Sequence, residues 1–378
     1  MPTLLIVRER LPGEKRVSAT PETVRRLQSK GLTLQVERGA GQAAGFEDAA
    51  YGEAGAALLE PDALPWGSVD GVLCVNTPPL EALQQLQSGA LLIGLLSPYG
   101  AEDLVATLNG RQASAVALEL LPRISRAQSM DVLSSQANIA GYKAVLLAAA
   151  ALDRYVPMLM TAAGTIQPAR VVIIGAGVAG LQALATARRL GAVVYVSDVR
   201  PAAKEQVESL GGRFIDPPEQ EERPAEAGGY AKAASEAFLA AQRQQLADQL
   251  ALADIVICTA QVPGRRAPRL IDEAMLDGMR AGSVVVDLAV AQGGNCAGSV
   301  AGTTVERNGV LLIGADALPS SVPHHASALY ARNLAALVEH LLSDDGLQLN
   351  PEDPILNDCL ITHAGACRRI DLVSGGTR

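Results

Sequence analysis

The sequence predicts an α/β protein of two domains, each a mostly parallel sheet covered by helices, with a cleft between them. Three observations lead there. The chain of 378 residues is longer than one ordinary core fills. Short apolar runs alternate with helical patterns along most of it, which is how parallel sheets covered on both faces are encoded. Near the middle, a β-branched run leads directly into three glycines spaced two and three residues apart.

In the first third, Leu4–Val7, Leu32–Val36, Gly71–Val75, Ala90–Leu96 and Ala115–Leu120 read as strands. Between them Pro21–Lys30, Leu80–Gln87 and Ala101–Asn109 carry helical spacing, with Thr20 as cap and Pro21 in the first turn. The most apolar helix is expected over Ala140–Tyr155. Its uninterrupted apolar core, Val145 to Leu152, is flanked by Lys143 and Asp153 and falls short of the ~20 residues that span a bilayer. No signal peptide precedes the first strand, so a soluble chain is expected.

Val171 to Ile174 reads as a strand buried on both faces, followed by Gly175-x-Gly177-x-x-Gly180, a helix over Leu181–Leu190 and a second strand over Val193–Val196 that runs out at Asp198. Strand, glycine turn, helix, strand and terminal acid arrive in the order of a dinucleotide-binding, Rossmann-like domain. Gly175 allows the tight turn, Gly177 lets the backbone approach a pyrophosphate, and Gly180 lets the helix pack closely. The helix N-terminus offers N–H groups to phosphate. Asp198 is suited to ribose hydroxyls and favours NAD over NADP, although Arg200, two residues on, is of the kind that meets a 2′-phosphate. A glycine-rich turn that binds nothing explains Gly175 and Gly180 but leaves the acid without a reason.

Further strands are expected at Ile255–Thr259, Ser283–Leu288 and Val310–Ile313. Between Asp216 and Asp254 lies an insertion whose first part, up to Tyr230, is acidic, rich in Pro and Gly, and without hydrophobic period. It reads as a functional loop with Gly228 and Gly229 as hinges, or as a solvated connection. A tail helix over Ser327–Leu342 and alternation at Leu360–His363 complete the chain. Because such a helix commonly packs back on the first domain, the expected division is residues 1–134 with 320–378 as a discontinuous N-terminal Rossmann-like domain, and 135–319 as the dinucleotide domain.

Composition narrows the partners. A net charge of −9 argues against nucleic acid. The five cysteines include no C-x-x-C pair, and Cys74 and Cys258 sit inside strand runs as buried, reduced thiols. His324 and His325 are adjacent and do not converge on one ion, so no metal is expected.

Between the domains, Leu121 to Gln136 concentrates Arg123, Arg126, Gln128, Asp131, Ser134 and Ser135. An arginine, an amide and a carboxylate beside a dinucleotide sheet suit directional bonds to a nicotinamide carboxamide and its ribose. The plainer reading is a polar linker and helix cap. Pro-Arg-Ile-Ser-Arg-Ala-Gln-Ser-Met-Asp (122–131), Met-Thr-Ala-Ala-Gly-Thr (160–165), Asp198-Val-Arg, Lys204-Glu-Gln-Val-Glu-Ser-Leu-Gly-Gly, Gly-Gly-Tyr-Ala-Lys (228–232) and Asp287-Leu-Ala-Val with Gly-Gly-Asn-Cys296 resemble the NAD-binding domain I of proton-translocating NAD(P) transhydrogenases. The resemblance covers nearly the whole chain.

That resemblance implies an alpha-1 type subunit that binds NAD(H), a homodimer, a separate NADP(H)-binding domain III, and a membrane domain II that conducts protons. It places the chain in the cytoplasm, peripherally on the inner membrane through those partners. It assigns Arg123, Gln128, Asp131 and Ser134 to orienting the nicotinamide, Tyr230 to a loop that closes over nucleotide, and Gly175, Ala176, Gly177, Val178, Gly180, Asp198, Val199, Arg200 and Gly264 to nucleotide binding. Hydride passes between two rings held about 3–3.5 Å apart, which asks for positioning and no acid or base. The chain departs from the family at Ala317, where relatives tend to carry Asn or Asp, and in its Pro- and Glu-rich 216–226 insertion.

Alanine dehydrogenase is similar in fold and shares the glycine signature. That family handles its substrate with a lysine, a histidine and a carboxylate, and the matching stretches here contain Asn76, Ser97 and Ala291 instead. Arg16 is compatible with both. A non-catalytic NAD-binding regulator has no need of the Arg123–Asp131 group.

Overall fold

The computed structural model describes residues 1–218, 236–262 and 264–373, with the side chains of 236–239 left aside. It divides into two compact units, Met1–Ala137 with Pro319–Arg378, and Asn138–Leu318. Among the described residues no helix is long and apolar enough to cross a membrane.

In the first unit, strands β1 (Thr3–Ile6), β2 (Thr33–Glu37), β3 (Ala57–Leu59), β4 (Gly71–Asn76), β5 (Leu91–Leu95) and β6 (Ser114–Ala117) form a parallel sheet in the order β3-β2-β1-β4-β5-β6. Two C-terminal strands, Leu360–His363 and Ala366–Cys367, extend it antiparallel beyond β6. Helices α1 (Pro21–Gln28), α2 (Asp48–Glu53), α3 (Leu80–Leu83) and α4 (Glu102–Gly110), with the C-terminal helix Pro323–Leu341, cover it. Thr20 caps α1 through a reciprocal pair of bonds with Thr23, and Pro21 opens the helix. Two apolar layers result, one around Leu4, Ile6, Leu34, Tyr330 and Leu334, the other around Leu5, Leu92, Leu83 and Ile361.

Two expectations are corrected here. Leu80–Gln87 is helical only over α3, and the chain then continues in tight turns through Leu86. Ala115–Leu120 stops being a strand at Ala117 and coils into a single 3₁₀ turn at Leu118–Leu120.

Helix α5 (Val132–Ala151) begins eight residues before the apolar run that suggests it, because Asp131 starts it: the Ser134 N–H donates to the Asp131 carboxylate at 2.9 Å. A hairpin, β7 (Leu159–Thr161) and β8 (Gly164–Ile166), follows. The second unit is then built on β9 (Arg170–Ile174), α6 (Val178–Arg189), β10 (Val193–Ser197), α7 (Ala203–Ser209), β11 (Arg213–Phe214), α8 (Glu236–Leu250), β12 (Ile255–Cys258), α9 (Glu273–Asp277), β13 (Val284–Asp287), β14 (Thr304–Arg307) and β15 (Val310–Gly314). The sheet order is β11-β10-β9-β12-β13-β15-β14, parallel apart from β14. Winding reverses between β9 and β12, as it does between β1 and β4 in the first unit. The insertion is thus partly regular, since α8 occupies its last third. Tyr230 and the rest of 219–235 lie outside the described residues.

Carboxyl strand ends flanking such a reversal are where open α/β sheets take ligands. In the first unit that position is filled from within. Glu9 accepts the N–H groups of Val75 (2.6 Å) and Asn76 (3.0 Å), where the register between β4 and β5 slips. Glu119 accepts the N–H of Leu96 (3.2 Å) and that of Ser97, and fully buried Glu37 accepts the Arg8 N–H (2.8 Å). Beside Glu9, the Glu14 carboxylate pairs with buried Arg16 at 2.6 Å, and Arg16 donates to Gln136 at 3.0 Å. Burial pushes the Glu9 carboxyl up to about 7, ahead of the lowering effect of its N–H donors. Burial acts the same way on Glu14, but Arg16 overrides it and holds that carboxyl down at about 2.

Two outcomes follow from these environments. Glu9 binds its proton more tightly folded than unfolded, so its contribution is fully present below about 4.5 and is lost as pH rises to about 7, a change of about 3 kcal/mol. Urea unfolding at several pH values should show that decline, and Glu9→Ala should flatten it whatever its effect on absolute stability; an unchanged slope refutes the assignment. In the second unit Ala317 has φ +47°, a left-handed conformation that a β-carbon penalises by about 1–2 kcal/mol. Ala317→Gly should therefore raise the urea midpoint, and a lowered midpoint would show that the alanine methyl matters more than the backbone.

Candidate functional site

The second unit's strand end is open where the first unit's is filled. Gly175 turns the chain out of β9 at φ +99°, and a β-carbon there would lie 2.7 Å from the Thr259 hydroxyl. Gly180 lies on the first turn of α6, where a β-carbon would stand 1.8 Å from the Gly175 carbonyl oxygen. The glycine expected to pack helix on strand thus packs helix on turn. Thr259 completes that contact, its hydroxyl donating toward the carbonyls of Gly175 (2.9 Å) and Ile174 (3.1 Å). Sequence reasoning placed Thr259 only at the end of a strand.

Gly177 caps α6 without any side-chain bond to its N–H groups, and open space surrounds the position of its missing β-carbon. The first-turn N–H groups of a helix have no intrahelical partners. Here they and the positive end of the helix dipole face room for an anion. Val178 is half-exposed beside them, while Ala176 is buried and donates its N–H to Asp198 at 2.6 Å.

Asp198 follows the last residue of β10, with its side chain 6% exposed. Oδ1 accepts the Arg200 N–H (2.8 Å) and Nε (2.9 Å), and Oδ2 accepts the Ala176 N–H and Arg200 Nη2 (2.9 Å). Burial pushes this carboxyl up, but the Arg200 and Ala176 donors outweigh it and hold it below the usual carboxylate range. Arg200 therefore faces the carboxylate in this structure. Val199 between them is 84% exposed.

The loop after β12, which carries exposed Gly264 at φ +68°, is fixed by a residue that sequence reasoning noticed only as a member of a motif. Asn295 is fully buried, accepts the Ala260 N–H (3.1 Å) and donates to the carbonyls of Ala260 and Pro268 (both 2.8 Å). Asp287 holds the neighbouring loop through the N–H groups of Ala289 and Cys296 and the Ser299 hydroxyl. Buried polar side chains pinning loops have no spacing rule, so only burial exposes them.

Arg123, Gln128, Asp131 and Ser134 belong to the first unit. The structure brings Asp131 and Ser134 together, with the Ser134 hydroxyl donating to the Asp131 carboxylate at 2.6 Å. Arg123 and Gln128 are exposed on and beside the 3₁₀ turn Ser125–Met130, without side-chain hydrogen bonds or ion pairs among the described residues. The helix-cap reading thus accounts for Asp131 and leaves the other two unexplained.

All five cysteines are free thiols, and Cys74, Cys258, Cys296 and Cys359 are buried. The model for the N-terminal domain of the alanine dehydrogenase/PNT family matches residues 5–140, and that for its C-terminal domain matches 144–369. The first of the two chains that make up the NAD(P) transhydrogenase alpha subunit of Rhodospirillum rubrum is 45% identical over 371 residues, spanning 96% of this chain and 97% of its own. The crystal structure of transhydrogenase from Sinorhizobium meliloti superposes with a TM-score of 0.87 at 44% identity, covering 97% of this chain and 99% of that one. An L-alanine dehydrogenase structure superposes with a TM-score of 0.79 at 27% identity, covering 98% of both. With two-domain relatives matched over nearly its full length, the chain belongs to the alanine dehydrogenase/PNT family, among the NAD(P) transhydrogenase alpha subunits.

Proposed function

We propose that this chain is the NAD(H)-binding subunit of a proton-translocating NAD(P) transhydrogenase. In that reading hydride is exchanged with NADP(H) held by a partner domain III, and a membrane domain II couples the exchange to proton movement. The assembly contains a homodimer of this chain and sits at the cytoplasmic face of the inner membrane through its partners. Residues 135–319 act as the NAD domain, with 1–134 and 320–378 forming the other. The observation that carries the reading is the uncapped, open start of α6 beside Gly177, with the Asp198 carboxylate one strand away.

The chain's own part is binding and orientation. Gly175 and Gly180 bring the start of α6 against the turn, and the N–H groups from Val178 onward meet the pyrophosphate. Asp198 takes the adenosine ribose, while Val199, Arg200 and Gly264 border it. The nicotinamide supplies the hydride when bound. Arg123 and Gln128, whose side chains make no bonds within the described protein, orient it together with Asp131 and Ser134, and Tyr230 belongs to the covering loop.

Alanine dehydrogenase is the second reading, favoured by the 30% identity to the Bacillus subtilis enzyme across 75% of this chain. Against it stands Arg16, which is committed to Glu14 and Gln136 rather than free for a substrate carboxylate. Asn76 donates to Glu9 and Glu14, which is no role for a base.

Arg123→Ala and Asp131→Asn should slow hydride exchange with an added NADP-binding component by about 10–100-fold, with a much smaller change in NADH affinity by calorimetry. Asn also caps helices well, so α5 survives the second change. Wild-type exchange rates in both variants refute the orienting role. Given NADH with pyruvate and ammonia, the chain alone should show no oxidation of NADH; turnover would install the alanine dehydrogenase reading instead.

A further inference from the structure

The Asp198 carboxylate has no lone pair to spare. A carboxylate offers about four acceptor sites, and four N–H donors occupy them: Ala176 N, Arg200 N, Arg200 Nε and Arg200 Nη2. Two of the four come from one guanidinium fork, which places one donor on each oxygen, at 2.9 Å in both cases. A ribose diol presents the same pattern, two donors on adjacent atoms, one for each carboxylate oxygen. The remaining donors are backbone N–H groups and stay. The arginine side chain is 60% exposed over a carboxylate that is 6% exposed, so the fork is the lid on that acid and solvent lies behind it.

We propose that Arg200 is an internal ligand of Asp198 which imitates the ribose diol and must leave before an adenosine ribose is held. The inference rests on the nucleotide reading given above. Arg200 then sets affinity and selectivity by competition. Every adenosine-bearing ligand displaces the same guanidinium before gaining its two hydroxyl bonds, and this lowers its apparent affinity by the strength of the fork. An exposed ion pair of this kind is weak, so the reduction is a small factor. A 2′-phosphate has no hydroxyl donor for Oδ1 or Oδ2 and brings charge of the same sign. It is unable to replace the fork, and the arginine's departure leaves it facing a bare carboxylate.

The test is calorimetric titration of the full chain and of Arg200→Ala and Arg200→Gln with NADH, AMP, nicotinamide mononucleotide and NADPH. Both variants should bind NADH and AMP about two- to five-fold more tightly than wild type. Nicotinamide mononucleotide, which lacks the adenosine ribose, should be unchanged, and NADPH should not tighten. Equal or weaker NADH binding in both variants, while wild type binds, overturns the displacement and makes Arg200 an ordinary contact. Tightening that extends to nicotinamide mononucleotide also overturns it, because the effect is then not local to the adenosine ribose. A wild-type chain with no affinity for NADH removes the nucleotide reading itself and this inference with it.

Discussion

The second unit depends on a contact that admits no side chain. The α-carbon of Gly180 lies against the Gly175 carbonyl so closely that a methyl group would overlap the oxygen. Because of that contact α6 starts immediately above the turn, and its unpaired N–H groups stay grouped at the end of β9. The Thr259 hydroxyl fastens the turn to β12 across the reversal of winding, and Asp198 fastens it to β10 through the Ala176 N–H. One small residue therefore lets three adjacent strands converge on a single helix end. Gly141 does the same on α5, where a β-carbon would reach within 2.0 Å of the Ala179 carbonyl.

The two sheets share a winding pattern and differ in what stands at their carboxyl ends. In the first unit Glu9, Glu37 and Glu119 take the strand-end N–H groups, so the sheet is satisfied without a ligand and carries negative charge where a phosphate would arrive. In the second, the helix cap is a glycine with no side chain to donate or accept. An anion binding at the first site would have to displace carboxylates that already accept N–H bonds, whereas at the second it meets unpaired donors. Topology alone does not choose between the sheets; the side chains do.

The fold class and the glycine turn were legible because they rest on spacing. Period, β-branching and an acid at a strand end are visible in one dimension, and Val171 to Asp198 falls into place almost residue for residue. What stayed hidden rests on three-dimensional neighbours. Strand β3 is three residues at the sheet's edge, too short for alternation to register, and the β7–β8 hairpin is largely exposed. Helix α8 escaped notice because its Gln- and Ala-rich sequence has no pronounced apolar stripe. Leu80–Gln87 misleads in the opposite way: its spacing suits a helix, but bonds of the tighter i to i+3 kind end it after one turn. At Ala317 the preference of relatives for Asn or Asp suggests a side-chain contact, yet the positive φ gives a sufficient backbone reason.

Asp131 shows why a cap and a candidate binding residue need not be competing descriptions. A carboxylate that starts a helix is held by the Ser134 N–H and hydroxyl, so its position is fixed by α5 rather than by its own rotamers. Two of its lone-pair sites are used and the others remain available, which suits a group meant to meet a ligand in one orientation. Arg123 and Gln128 lie on the less regular turn before it and have no such restraint. Their conformational freedom is lost only when a ligand supplies the partner they lack, so binding carries an ordering cost there that Asp131 does not share. Within this short segment the rigid carboxylate defines direction, and the two less restrained side chains adapt to whatever it holds.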